Sequence, residues 1–103
     1  MENGTYLYDL EMSTPLGPRH GNLKLIVWKD HLNGYLTMFT RTIPIQGGKC
    51  SGKYISFRGD MKTLMKMIPY EAEGKITDSG ISLVFSTPQN QYSAKGYLTE
   101  RRG

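Results

Sequence analysis

The chain has 103 residues, 38% of them hydrophobic, and its 13 Lys and Arg outnumber 9 Asp and Glu for a net charge of +4. That length holds one domain, residues 1–103, burying roughly two-thirds of its unfolded surface around a single core. The low apolar share argues against a second hydrophobic layer, the single cysteine (Cys50) excludes an internal disulfide, and the longest apolar run, Leu25-Ile26-Val27-Trp28, excludes a membrane-spanning helix.

Alternating apolar and polar residues, cut by glycine-bearing turns, run along the whole chain. Residues 5–12 predict a first strand, with Tyr6, Tyr8, Leu10 and Met12 on one face and Leu7 as the exception on the other. Thr14-Pro15-Leu16-Gly17-Pro18 reads as a loop or irregular edge, because its prolines remove backbone donors. Residues 22–29 predict a second strand with Leu23, Leu25 and Val27 on one face and Ile26 and Trp28 on the other. Apolar groups on both faces imply that part of the outside is covered.

Asn33-Gly34 is a turn signal. A third strand follows, with Leu36 and Met38 opposed to Tyr35 and Phe39, then a short fourth strand over 42–46, closed by Gly47-Gly48. Residues 53–58 predict a fifth strand with Ile55 and Phe57 on one face. Over residues 60–70, Met61, Leu64, Met65 and Ile68 fit a two-turn helix ended by Pro69, while a turn near 62–66 followed by a strand over 67–75 fits the alternation of Ile68, Tyr70, Ala72, Gly74 and Ile76. The second reading is adopted. Ile81, Leu83 and Phe85 mark a seventh strand and Tyr92, Ala94, Gly96 and Leu98 an eighth, leaving 100–103 as a frayed tail.

The connections are too short for crossovers, so sequence neighbours pair in space. About eight antiparallel strands avoid two open edges only if the first and last meet. The predicted fold is therefore all-β, a single antiparallel up-and-down barrel. Glu11-Met12-Ser13-Thr14-Pro15-Leu16 echoes Asp60-Met61-Lys62-Thr63-Leu64-Met65, and Gly34-Tyr35-Leu36-Thr37 returns as Gly96-Tyr97-Leu98-Thr99. A duplication of two four-strand halves explains the first echo, and shared β grammar explains both.

Gly4-x-Tyr6 opening a glycine-punctuated meander resembles the calycin group of barrels, which includes lipocalins, fatty-acid-binding proteins and avidins. Tyr6 stands where those families commonly have Trp. The resemblance implies a small hydrophobic or amphipathic ligand inside the barrel, and the inward faces supply its candidate lining: Tyr6, Tyr8, Leu10, Met12, Leu25, Met38, Phe57, Tyr70, Phe85 and Tyr92. Tyrosine offers a packing ring and a hydrogen-bonding hydroxyl, methionine an adaptable surface. The plain alternative is that these residues only fill the core.

A second reading is a homodimeric interaction module, with Trp28, Tyr35 and Phe39 as interface residues beside the outward Tyr97. His20 and His31 share no ligand spacing with acids or Cys50, and no nucleophile motif is present, so no catalytic residue, metal site or cofactor is expected. The basic residues are scattered except for Arg101-Arg102, and Tyr54 and Phe57 fall on opposite faces of their strand, which disfavours nucleic-acid binding. Met1-Glu2-Asn3-Gly4 has neither a basic start nor an apolar run, so a soluble cytoplasmic protein, monomer or dimer, is the expectation.

Overall fold

The computed structural model describes residues 1–63 and 65–103. Nine strands follow in chain order: β1 (Gly4–Thr14), β2 (Gly17–Trp28), β3 (His31–Met38), β4 (Arg41–Pro44), β5 (Gln46–Ser51), β6 (Tyr54–Lys62), β7 (Met67–Ile76), β8 (Gly80–Ser86) and β9 (Gln91–Arg102). All neighbours are antiparallel, β1 pairs with β9, and β2 pairs with β3, so the sheet closes. β4 and β5 are one interrupted strand: both pair with β3, and the Ile45 amide between them donates to the Gly34 carbonyl at 3.0 Å. The result is a closed up-and-down barrel of eight strands.

Alternation places the core. Tyr6, Tyr8, Leu10 and Met12 of β1 point inward, as do Leu23, Leu25 and Val27 of β2, Ile55, Phe57 and Met61 of β6, and Ile81, Leu83 and Phe85 of β8. These belong to one contiguous buried cluster with no buried charged side chain among the described residues. The turn-then-strand reading of residues 60–76 holds: the Thr63 amide donates to the Lys66 carbonyl at 2.9 Å and β7 begins at Met67. Leu64, which marked the helical alternative, lies outside the described residues.

Four local expectations are corrected or narrowed. Of the two readings of Thr14–Pro18, the irregular edge holds and the loop does not, since Pro18 lies in β2 before its pairing with β3 begins. β1 and β2 continue to Thr14 opposite Gly17, leaving only Pro15 and Leu16 in the turn. Asn33-Gly34 is not a turn but lies within β3, the reversal having come earlier at Lys29 (φ 58°) and Asp30. Gly34 serves close approach instead: its φ is +145°, and a Cβ there would stand 1.8 Å from the Lys24 carbonyl oxygen of β2. Gly47-Gly48 lies inside β5 at a register shift. The C-terminal tail is a working strand, with Glu100, Arg101 and Arg102 opposite Leu7, Tyr6 and Thr5. A shift between Leu7 and Tyr8 leaves Leu98 partly exposed.

The ladders repeat. Adding 49 to every residue of β1, β2, β3 and β4 gives the register of β6, β7, β8 and β9: Tyr6 opposite Leu25 becomes Ile55 opposite Gly74, Leu25 opposite Gly34 becomes Gly74 opposite Leu83, and Leu36 opposite Ile43 becomes Phe85 opposite Tyr92. In the closed order β1 stands directly across the barrel from β6, and β2 from β7. The barrel is thus two four-strand halves related by a pseudo-two-fold along its axis. Register shifts fall at both seams, β5–β6 and β9–β1. The turns repeat too, with the Thr14 hydroxyl donating to the Gly17 carbonyl and the Thr63 hydroxyl to the Lys66 carbonyl.

Candidate functional site at the barrel mouth

The two ends of the barrel differ. At the end that holds both termini, Met1 packs against the core and its ammonium donates to the Gly52 carbonyl, while the Asn3 side chain accepts from the Lys29 amide at 2.7 Å. Tyr6 is committed there: its hydroxyl donates to the Glu2 carbonyl at 2.7 Å and the Arg101 guanidinium lies over its ring. Arg101 also pairs with Glu2 at 2.8 Å and holds that carboxyl below its ordinary range. Cys50 is buried beside this cap, its thiol against the Lys29 carbonyl.

The opposite end, here called the mouth, carries the turns β1–β2, β3–β4, β6–β7 and β8–β9. Its inward layer includes Met12, Met38, Met61 and the half-buried Ile43 and Tyr92. Below it Phe57, Tyr70 and Phe85 form an aromatic cluster with ring centroids 5.4–6.1 Å apart, two of the three contacts edge-to-face. Phe39 and Thr40 form the β3–β4 turn with φ of 53° and 62°, a backbone that favours glycine and asparagine. This strained turn holds the Phe39 ring partly against the core, so Phe39 is not the outward residue the alternation implied.

Tyr70 is the chemical exception in this apolar layer. It is 2% exposed, and its hydroxyl has no hydrogen-bond partner among the described residues. A buried hydroxyl in that state costs about 1–3 kcal/mol. Burial, with the nearby Asp60 carboxylate second, raises its pKa, so the hydroxyl stays protonated and keeps its O–H available for a hydrogen bond. A notch of ≈450 Å³ beside Tyr70 and Gly59 is lined mostly by exposed wall residues, among them Arg58, Asp60, Pro69 and Glu71, and by none of the mouth methionines. Tyr8 is also buried, and burial, with Tyr6 as a smaller influence, pushes its hydroxyl up to about 12.

Of the ten lining candidates, nine are buried and Tyr92 is half-buried at the rim. Phe57, Tyr70 and Phe85 are brought into contact. Tyr6 is at the capped end, away from the mouth. Gly59, Arg58 and Asp60 beside Tyr70 were not among the candidates. Only the cross-strand pairing of Gly59 with Tyr70 links them to it.

The interface candidates are not gathered. Trp28 is outward at the capped end, under the Lys29 ammonium, and Tyr35 is mid-wall beside Lys24. From the level of Trp28, opposite His31, to Phe39 the β3 strand climbs about 26 Å. His20 and His31 lie at opposite ends, each exposed beside one acid, Glu11 and Asp30 respectively. No group of three His, Cys, Asp or Glu able to hold a metal occurs among the described residues. No protein-family model and no curated protein matches the chain.

Proposed function

We propose that the protein binds, without chemistry, a small amphipathic molecule at the mouth of a calycin-type barrel. The ligand's apolar part packs against the methionines and aromatics of the mouth, and an oxygen acceptor (carbonyl, carboxylate or ether) takes the Tyr70 hydrogen bond. The observation that carries this reading is the Tyr70 donor, buried without a partner among the described residues and next to a notch. The strained Phe39–Thr40 turn at the same rim adds to it, because backbone strain persists where the surroundings impose it. At this rim Phe39, Ile43 and Tyr92 are only partly buried, whereas Leu25, Leu36 and Phe85 are fully buried, which supports the rim over the deep interior as the ligand's place.

Native mass spectrometry of freshly purified protein tests this. A retained mass of a few hundred daltons, released on denaturation, is the expected result. An apo dimer would instead favour the interaction reading, for which the outward pair Ile26 and Trp28 is the motive.

A further inference from the structure

The mouth end is also built as a surface. The β1–β2 ladder runs on to Thr14 opposite Gly17, although β2 leaves β3 at Asn22 and β1 leaves β9 at Met12. Its two-fold counterpart, β6–β7, runs on to Lys62 opposite Met67, although β7 leaves β8 at Glu71 and β6 leaves β5 at Arg58. Two hairpin tips therefore project from opposite walls and flank the mouth. Each tip displays large apolar side chains to solvent: Leu16 is 83% exposed on one, Met65 91% and Met67 55% on the other. Water gains nothing from such groups at the tip of a hairpin, and a partner that takes them up does.

Charge selects the partner. Among the described residues of the four mouth turns and their ladders, down to Met12–Arg19 and its two-fold counterpart Met61–Ile68, the charged side chains are Arg19, Arg41, Lys62 and Lys66. The nearest acids, Glu11 and Asp60, stand one pair further down the same ladders. The capped end, by contrast, mixes Glu2, Asp30, Asp78 and Glu100 with its cations. The overhanging strand edges carry Pro18 and Pro69, which discourage a partner that would add a strand. The tips offer no exposed aromatic ring on which a base could stack.

We infer that the two hairpin tips dock the mouth end onto an anionic lipid surface. Leu16, Met65 and Met67 enter the headgroup boundary while Arg19, Arg41, Lys62 and Lys66 meet the lipid phosphates and carboxylates. This is surface docking. No helix among the described residues is long and apolar enough to span a membrane. Two tips on opposite walls engage one plane together, so each holds the other near the surface.

The test is flotation of the full chain with vesicles of phosphatidylcholine alone and with 30 mol% phosphatidylserine (an experimental choice on the order of natural anionic leaflets). Binding only to the anionic vesicles is expected. The doubly exposed change Leu16→Glu with Met65→Glu should abolish it, and Lys62→Gln or Lys66→Gln should each weaken it about fivefold. Lys53→Gln at the capped end should leave it unchanged. Equal absence of binding to both vesicles would overturn the proposal. So would tip-dependent capture by duplex DNA in place of vesicles, or a dimer that the tip substitutions dissolve. These substitutions leave Tyr70 untouched, so loss of docking and loss of the mouth ligand are separately read.

Discussion

Tyr70 lies across Gly59, its direct cross-strand partner: a Cβ on Gly59 would stand 2.9 Å from the Tyr70 hydroxyl oxygen and 3.2 Å from two ring carbons. The ring occupies the space that the glycine leaves, the usual way an aromatic residue protects a glycine in a sheet. In the other half the equivalent pair is Leu10 and Gly21, with large and small exchanged between the strands. The two-fold thus keeps one large and one glycine member in each pair while exchanging their strands.

Gly59→Ala should displace the Tyr70 ring and cost about 1–3 kcal/mol, as overpacking does. Urea unfolding measures it. The same substitution made in a Tyr70→Leu background should cost less, because the two residues couple through one contact.

Alkaline pH should destabilise the barrel before it ionises the folded tyrosines. Tyr8 and Tyr70 have pKa values raised above the ordinary value of 10.0 by burial, so they stay protonated in the fold while the unfolded chain loses those protons. Their contribution is therefore fully present below pH 10 and lost as pH rises, over the window from 10 to about 12 for Tyr8. Each steepens the fall by about 1.4 kcal/mol per pH unit in its window. Thermal melts at stepped pH should show the decline, and Tyr8→Phe should make it shallower.

Thr40 has φ 62° in the β3–β4 turn, a conformation that glycine adopts freely. Thr40→Gly should raise stability by about 1 kcal/mol, or about 4–8 °C in Tm for a domain of this size. A loss of ligand retention in the same variant would tie the strain to the mouth.

The pseudo-two-fold makes the β9–β1 seam the counterpart of the β5–β6 connection, and both chain termini lie at that end. A circular permutant joined from Gly103 to Met1 through a short linker and opened between Gly52 and Lys53 should close the same barrel. Its stability should fall by no more than about 2 kcal/mol, since only short connections change. Circular dichroism and a melt suffice to check it.

The barrel was legible because each strand spends alternate residues on the core, and a period of two survives almost any choice of apolar side chain. Closure followed from the cost of open edges. The signals that misled were glycines: Asn33-Gly34 looks like a hairpin turn, but Gly34 is small because the β2 backbone passes over it. The duplication was visible in the sequence only near the tips, where Met12 matches Met61 and Thr14 matches Thr63. Elsewhere Leu10 faces Gly21 where Gly59 faces Tyr70, and Leu25 faces Gly34 where Gly74 faces Leu83, so residue identity was lost while register was kept. Tyr70 was on the inward face as expected. Its hydroxyl differs from that of Tyr6 because the Glu2 carbonyl, four residues before Tyr6, accepts from Tyr6 while none of the described residues does so for Tyr70, a matter of backbone path that alternation along the chain does not carry.

Native mass spectrometry of the wild-type protein beside Tyr70→Phe tests the central claim most directly. Removing an unpaired buried hydroxyl should leave the apo fold intact and stabilise it by about 1 kcal/mol, while the retained ligand mass disappears. If both proteins carry the same ligand at the same occupancy, or if neither carries any after exposure to lysate and the hydroxyl deletion destabilises the fold, Tyr70 is not the ligand's hydrogen-bond donor and the mouth site is wrong.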